Sequence, residues 1–245
     1  MTPSPTPNPF DSPSSLTDRL RTRLRHFLRR PTDRPLTEGP VPPLLLLPVI
    51  GKLLLIDLVL ALALGGLIGV VGQAGLYDPA DHAVSGALEE HPPAMLLLLA
   101  VVVAPFFEEL IFRFPLRYAT NPVVALTRLL TPRTDAATDI AMEAERRAAW
   151  DRKYPVIFYG FSLAFAFVHL FNFGNWTVGL FLISPLLVAP QFVLGVLAGF
   201  LRVRHGFWSA VLLHALHNFI LLGVALLAPD AAAHERAGWW LLMLP

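Results

Sequence analysis

The sequence predicts an all-α, polytopic transmembrane helical bundle of five or more spans around a central polar active-site cavity. Three observations carry that prediction. The chain has 245 residues, of which 55% are hydrophobic and 15% charged, and its mean hydropathy is +0.58. That is too apolar for a soluble globule. Its apolar residues gather in runs long enough to cross a hydrocarbon core about 30 Å thick. Its Lys and Arg residues fall almost entirely on one side once those runs are threaded through a membrane. There is no cysteine, so disulfides, thiolate metal sites and a cysteine nucleophile are excluded.

Residues 1–41 are expected to be a cytoplasmic N-terminal segment and residues 42–245 the bundle. Met1–Ser15 is rich in Pro, Ser and Thr and reads as disordered. Leu20, Leu24, Phe27 and Leu28 then recur at helical spacing between Arg19, Arg21, Arg23, Arg25, Arg29 and Arg30. This predicts a short basic amphipathic helix on an anionic leaflet. Nucleic-acid binding is the weaker reading, because the chain next enters a membrane. The first apolar run starts too late for a cleavable signal peptide.

The first span lies within Leu44–Val71 and carries Lys52 and Asp57. Lys52 is placed to snorkel to the cytoplasmic interface. Asp57 reads as structural or interfacial rather than as part of a site. Gln73–Pro93 is a polar loop with Asp78, Asp81, Glu89 and Glu90. The second span is Ala94–Leu116. Arg117–Lys153 is polar, with an exposed helix over Met142–Trp150. The third span is Tyr154–Phe173, followed by a turn at Gly174-Asn175-Trp176. The fourth, Thr177–Leu201, is bent by Pro185 and Pro190, and the fifth is Phe207–Ala228. The tail Gly238–Pro245, with Trp239 and Trp240, is too short to span and suits an interface.

Charge orients this threading. Seven basic residues precede Pro40, seven lie in Arg117–Lys153, and Arg202 and Arg204 follow the fourth span; the opposite side has only Arg236. Five spans with the N-terminus cytoplasmic and the C-terminus outside satisfy the positive-inside pattern. A bacterial inner membrane is the expected location.

Ionisable groups inside a bilayer are costly and need partners or a function. Pro105-Phe-Phe-Glu108-Glu109-Leu-Ile-Phe-Arg113 places three such groups at the end of an apolar run. Glu109 and Arg113 are i and i+4 with the acid N-terminal, the favourable order for an ion pair. Glu108 points about 100° away on the helix and is left as a base. The third span ends with Phe165-Ala-Phe-Val-His169, and the fifth carries His214-Ala-Leu-His217-Asn218. The plainer reading of all of them is interhelical hydrogen bonding. The sharper one is amide hydrolysis. A carboxylate and an imidazole share a water, the carboxylate takes its proton, and His214 and Asn218 donate to the oxyanion.

The motifs Glu108-Glu109-x-x-x-Arg113, Phe165-x-x-x-His169 and His214-x-x-x-Asn218, in this order and each on a span, resemble those of the CPBP intramembrane proteases. That family includes the type II CAAX prenyl endopeptidases and the bacterial Abi proteins. The resemblance covers Pro93–Leu222. It implies an endopeptidase that cleaves a membrane-associated protein or peptide within or beside the bilayer. Carried over, Glu108 is the base, His169 its partner, His214 and Asn218 the oxyanion donors, and Glu109, Arg113 and His217 support them. A metal-free reaction is preferred. Zinc on Glu108, His169 and His214 is the alternative, although no HExxH helix is present.

Depth poses a question. At 1.5 Å per residue His169 lies about 22 Å from Tyr154, too far across to meet Glu108. The two agree if the third helix begins in the cytosol and Tyr154–Phe161 forms an interfacial belt. Two rivals stand beside the protease: a non-enzymatic scaffold or immunity protein with a structural polar cluster, and a proton-coupled transporter using Glu108 and His169. The absence of repeated broken spans counts against the transporter. Substrate identity and oligomeric state leave no mark in the sequence.

Overall fold

The computed structural model describes residues 16–33, 43–76, 82–132 and 134–227. The expected disorder of Met1–Ser15, the acids Asp78 and Asp81, and the Trp239–Trp240 tail lie outside them. The described residues are helical almost throughout, with one isolated bridge pairing His82 with Phe173. Ten α-helices follow in order: α1 (Leu16–Arg29), α2 (Pro43–Gly72), α3 (Ala83–Glu90), α4 (Pro93–Leu97), α5 (Ala104–Phe112), α6 (Pro122–Leu130), α7 (Ala136–Val168), α8 (Val178–Leu187), α9 (Ala189–His205) and α10 (Phe207–Leu226). A π-helical segment, Leu98–Val103, joins α4 to α5.

Among the described residues, five stretches are long and apolar enough to cross a membrane: Leu45–Gly72, Pro93–Leu116, Ala136–Asn172, Val178–His205 and Phe207–Leu226. The protein is thus an integral membrane bundle with the five spans the hydropathy predicts. α9 lies at its centre and is buried on every side from Leu194 to Val203. Gly195 and Gly199, four apart on α9, let α7 approach closely. A Cβ on Gly199 would sit 2.8 Å from the Phe158 ring, and one on Gly195 3.1 Å from the Arg113 guanidinium. Small residues at this spacing are the usual device for close helix packing in lipid. The fourth span divides at Val188, with Pro185 inside α8 and Pro190 in the first turn of α9. Proline removes a donor inside a helix but suits its first turn.

α7 begins earlier than the third span was expected to. Asp135 caps it, accepting from the Ala137 and Thr138 amides. It then runs unbroken for 33 residues, about 50 Å, so Met142–Trp150 is its first part rather than a separate helix. The extra length adds polar turns ahead of the apolar stretch, and at its far end His169 does meet Glu108, 4.0 Å away.

The setting of α1 also differs from the expectation. Its apolar stripe packs on the bundle through Leu20 and Phe27, both buried. Phe27 is fully buried, edge-on to Phe158 at 4.9 Å and to Phe200 at 5.2 Å between ring centres. Tyr159 donates from its hydroxyl to the Leu28 carbonyl, and Lys52 Nζ donates to Thr17 Oγ1 at 2.7 Å. A protein surface offers this stripe the same release from water as lipid does, with aromatic contacts added.

Just beyond α1, buried Asp33 accepts from the Tyr118 amide at 2.7 Å and pairs with Arg117 at 3.4 Å and Arg147 at 3.3 Å. Arg204 reaches Thr32 at 3.2 Å. The segments that charge assigns to one side thus meet at one end of the bundle.

Candidate active site

The second span breaks its α-helical register just before its two carboxylates. In the π segment the Ala104 amide reaches back five residues to the Leu99 carbonyl. The next carbonyl, Ala100, would need the amide of residue 105, which is proline and has none. Asn218 Nδ2 on α10 supplies the missing donor at 2.7 Å. A carbonyl without a partner in lipid costs several kcal/mol, so this bond ties α10 to the second span about two helical turns before Glu108.

Glu109 and Arg113 form the expected pair, Arg113 Nη1 to Glu109 Oε1 at 3.5 Å, with both side chains buried. The guanidinium lies over the Phe165 ring, 3.6 Å from its centre, a cation–π contact strengthened by desolvation. The backbone turns out of α5 at Arg113, and Arg202 takes up the carbonyls freed there. Its Nε donates to the Arg113 carbonyl and its Nη2 to the Phe114 carbonyl, each at 3.2 Å. Arg117 is engaged by Asp33 and not by the paired acids.

Glu109 has a second partner that the spacing did not suggest: His214 Nδ1, 3.0 Å from Glu109 Oε1. A carboxylate only accepts, so Nδ1 carries the proton. That leaves Nε2 of the neutral ring with its lone pair facing Glu108 Oε2 at 3.6 Å. His169 repeats the arrangement. It closes α7 and opens a 3₁₀ turn, His169–Asn172. Its Nδ1 lies 2.6 Å from the Phe165 carbonyl, which again places the proton on Nδ1, and its Nε2 lies 4.0 Å from Glu108 Oε2.

Three elements thus aim one carboxylate oxygen and two imidazole lone pairs at one another. Glu108 is the member with an opening, its side chain 21% exposed while His214 is sealed. Glu108 Oε2 and His214 Nε2 are both buried and make no hydrogen bond among the described residues. Buried polar atoms of this kind need a polar occupant between them.

The bundle therefore brings Glu108, Glu109, Arg113, His169 and His214 into one cluster. His217 pairs with Asp57 on α2, its Nδ1 2.5 Å from Asp57 Oδ2, and both groups are buried. Asn218 is engaged with Ala100. Both expected oxyanion donors thus have a donor committed elsewhere, His214 Nδ1 to Glu109 and Asn218 Nδ2 to Ala100. Zinc would draw its tetrahedral ligands to about 3.3 Å apart, closer than the separations from Glu108 given above. No group of three His, Cys, Asp or Glu is set to hold a metal among the described residues.

Sequence reasoning missed three contributors. Pro105 carried the signal for Asn218, since a proline inside a span leaves a carbonyl to be satisfied. Gly195-x-x-x-Gly199 carried the signal for the close approach of α7. Asp33 carried none, because its arginines are 84 and 114 residues away.

Fold and site together define a class: a helical membrane bundle with a carboxylate–imidazole cluster inside it. The family model type II CAAX prenyl endopeptidase Rce1-like matches residues 90–220, more than half of the chain, and takes in all three motifs. The chain belongs to this family of CAAX-type intramembrane proteases. No curated protein and no solved structure matches it.

Proposed function

We propose that the chain is a glutamate-dependent intramembrane endopeptidase acting on a membrane-associated protein or peptide, with CAAX-type processing as the reaction. The observation that carries this reading is the convergence of Glu108 Oε2 with the Nε2 lone pairs of His169 and His214. A water placed among them donates one hydrogen to Glu108 and the other to an imidazole, which turns its oxygen lone pair outward to the scissile carbonyl. Glu108 takes the water proton as the oxygen attacks the carbonyl carbon. It then returns that proton to the leaving nitrogen as the C–N bond breaks, giving a carboxylic acid and an amine. Glu109 holds the His214 tautomer, and Arg113 offsets the charge of the two acids. The oxyanion role expected of His214 needs a hydrogen on Nε2, a position that its Nδ1 bond to Glu109 leaves without one, so the free amide hydrogen of Asn218 is the donor that remains. Asn218 acts here by positioning α10 against the second span, with its second amide hydrogen left for the substrate. The reaction runs without a metal. Substrate approaches Glu108, the partly open member of the cluster, and the N-terminus is cytoplasmic, as the charge asymmetry supports.

The test is cleavage of a lipid-anchored fluorogenic CAAX peptide by the purified chain in liposomes. Activity is expected to vanish in Glu108→Gln and to survive EDTA or 1,10-phenanthroline. Cleavage by Glu108→Gln at the wild-type rate would sink the mechanism, and loss to chelator would restore zinc. If the cluster is only structural, Glu108→Gln lowers the folding yield instead.

A further inference from the structure

The groove between α1 and α2 belongs to no part of that reaction. It has a volume of about 770 Å³. Its floor is apolar: Leu20, Leu24 and Leu28 from α1, Leu55 and Ile56 from α2. Its rim is cationic. Arg21, Arg25 and Arg29 stand one turn apart along α1, Lys52 faces them from α2, and no acid is among the lining residues. The floor continues along α2 as a stripe four and three residues apart, with Leu55 63%, Val59 56% and Leu62 39% exposed. This is the lipid-facing side of the helix; buried Asp57, on the other side, meets His217.

We infer that this groove is a binding site for a single anionic phospholipid. The phosphate headgroup sits among Arg21, Arg25, Arg29 and Lys52, and an acyl chain runs down the Leu55–Val59–Leu62 stripe. Charge complementarity selects the headgroup: basic clusters beside a span attract anionic lipid, and arginine binds phosphate through its fork of donors. The place in the bundle selects a lipid, since a soluble phosphate would leave the apolar floor uncovered. Because α1 packs on the bundle through Phe27, the arginines form a fixed row that a helix lying loose on a leaflet would not hold.

The full chain is reconstituted in nanodiscs containing phosphatidylglycerol or only phosphatidylcholine, extracted gently, and weighed by native mass spectrometry. One retained phosphatidylglycerol per chain is expected, and none of phosphatidylcholine. The triple variant Arg21→Gln/Arg25→Gln/Arg29→Gln should lower retention at least about tenfold. Arg19→Gln/Arg23→Gln/Arg30→Gln removes the same charge outside the groove and should leave it within about twofold. Circular dichroism checks that both variants fold. Equal losses in the two variants, equal retention of both lipids, or no retained lipid would each overturn the proposal; the last would point to another segment of the chain as occupant. Cleavage activity plays no part in the readout.

Discussion

Replacing the two neighbouring glutamates one at a time should separate folding from chemistry. Glu109 is sealed in the bundle and paired with Arg113, itself sealed. In Glu109→Gln the amide oxygen can still accept from His214 Nδ1, so that bond survives, but the guanidinium loses its buried counter-charge. Breaking a buried pair from one side costs about 3–5 kcal/mol. The Phe165 ring under Arg113 is present before and after, so it offsets nothing. At about 2–4 °C per kcal/mol for a chain of this size, the lower figure lowers Tm by about 6–12 °C. Glu108 is partly open, and its Oε2 makes no hydrogen bond among the described residues. Glu108→Gln also removes a like charge beside Glu109, so its stability change should stay within about 1 kcal/mol. Its rate should fall by the 10²–10⁴-fold, roughly, that a general base contributes. Tryptophan-fluorescence melts in detergent give Tm, and the liposome assay gives the rate. A Glu108→Gln protein that melts as early as Glu109→Gln, or that keeps more than about a tenth of the rate, would refute this division.

Three further outcomes follow from the packing. Asn218→Leu strands the Ala100 carbonyl and should cost about 1–3 kcal/mol; if the bond exists for the reason given, Pro105→Ala in the same chain lessens that cost, as a double-mutant cycle of melts would show. Gly199→Ala drives a methyl into the Phe158 ring, 2.8 Å away, and should lower stability by about 1–3 kcal/mol, with Phe158→Leu restoring part of it. His82 is buried, and burial holds its imidazole down to about 4 from 6.5; the unfolded chain therefore binds the proton first. Its contribution is complete above pH 6.5 and is lost, up to about 3 kcal/mol, as pH falls toward 4. Melts of wild type and His82→Phe should accordingly draw together over that window, and a gap that does not change with pH would refute the assignment.

Much of the architecture was legible in the chain. The spans could be read because lipid imposes an apolar length that no soluble core requires, and the pairing of Glu109 with Arg113 because both sit on one helix at i and i+4. What the sequence withheld depended on partners rather than pattern. The stripe Leu20-Leu24-Phe27-Leu28 is equally satisfied by lipid or by protein, and only Phe158 and Phe200 decide between them. The start of α7 was hidden because its first turns are polar and resemble a loop. The bond from Glu109 to His214 joins residues 105 apart, and no local spacing encodes it.

The π segment has a last consequence. A regular α-helix advances about 100° per residue, so one residue taken up in a wider turn changes the azimuth of everything after it. With Leu98–Val103 wound regularly, Glu108 would swing round by about that angle to where buried Glu109 now points, and Glu109 toward the sector of exposed Leu110. Pro105 withholds the amide at this point, and Asn218 accepts the consequence on the other helix. Adding a single residue to the regular turn between 103 and 108 would therefore turn the acids away from both imidazoles without altering any residue that touches them. The phase of the helix, as much as the identity of its carboxylates, defines where the site is.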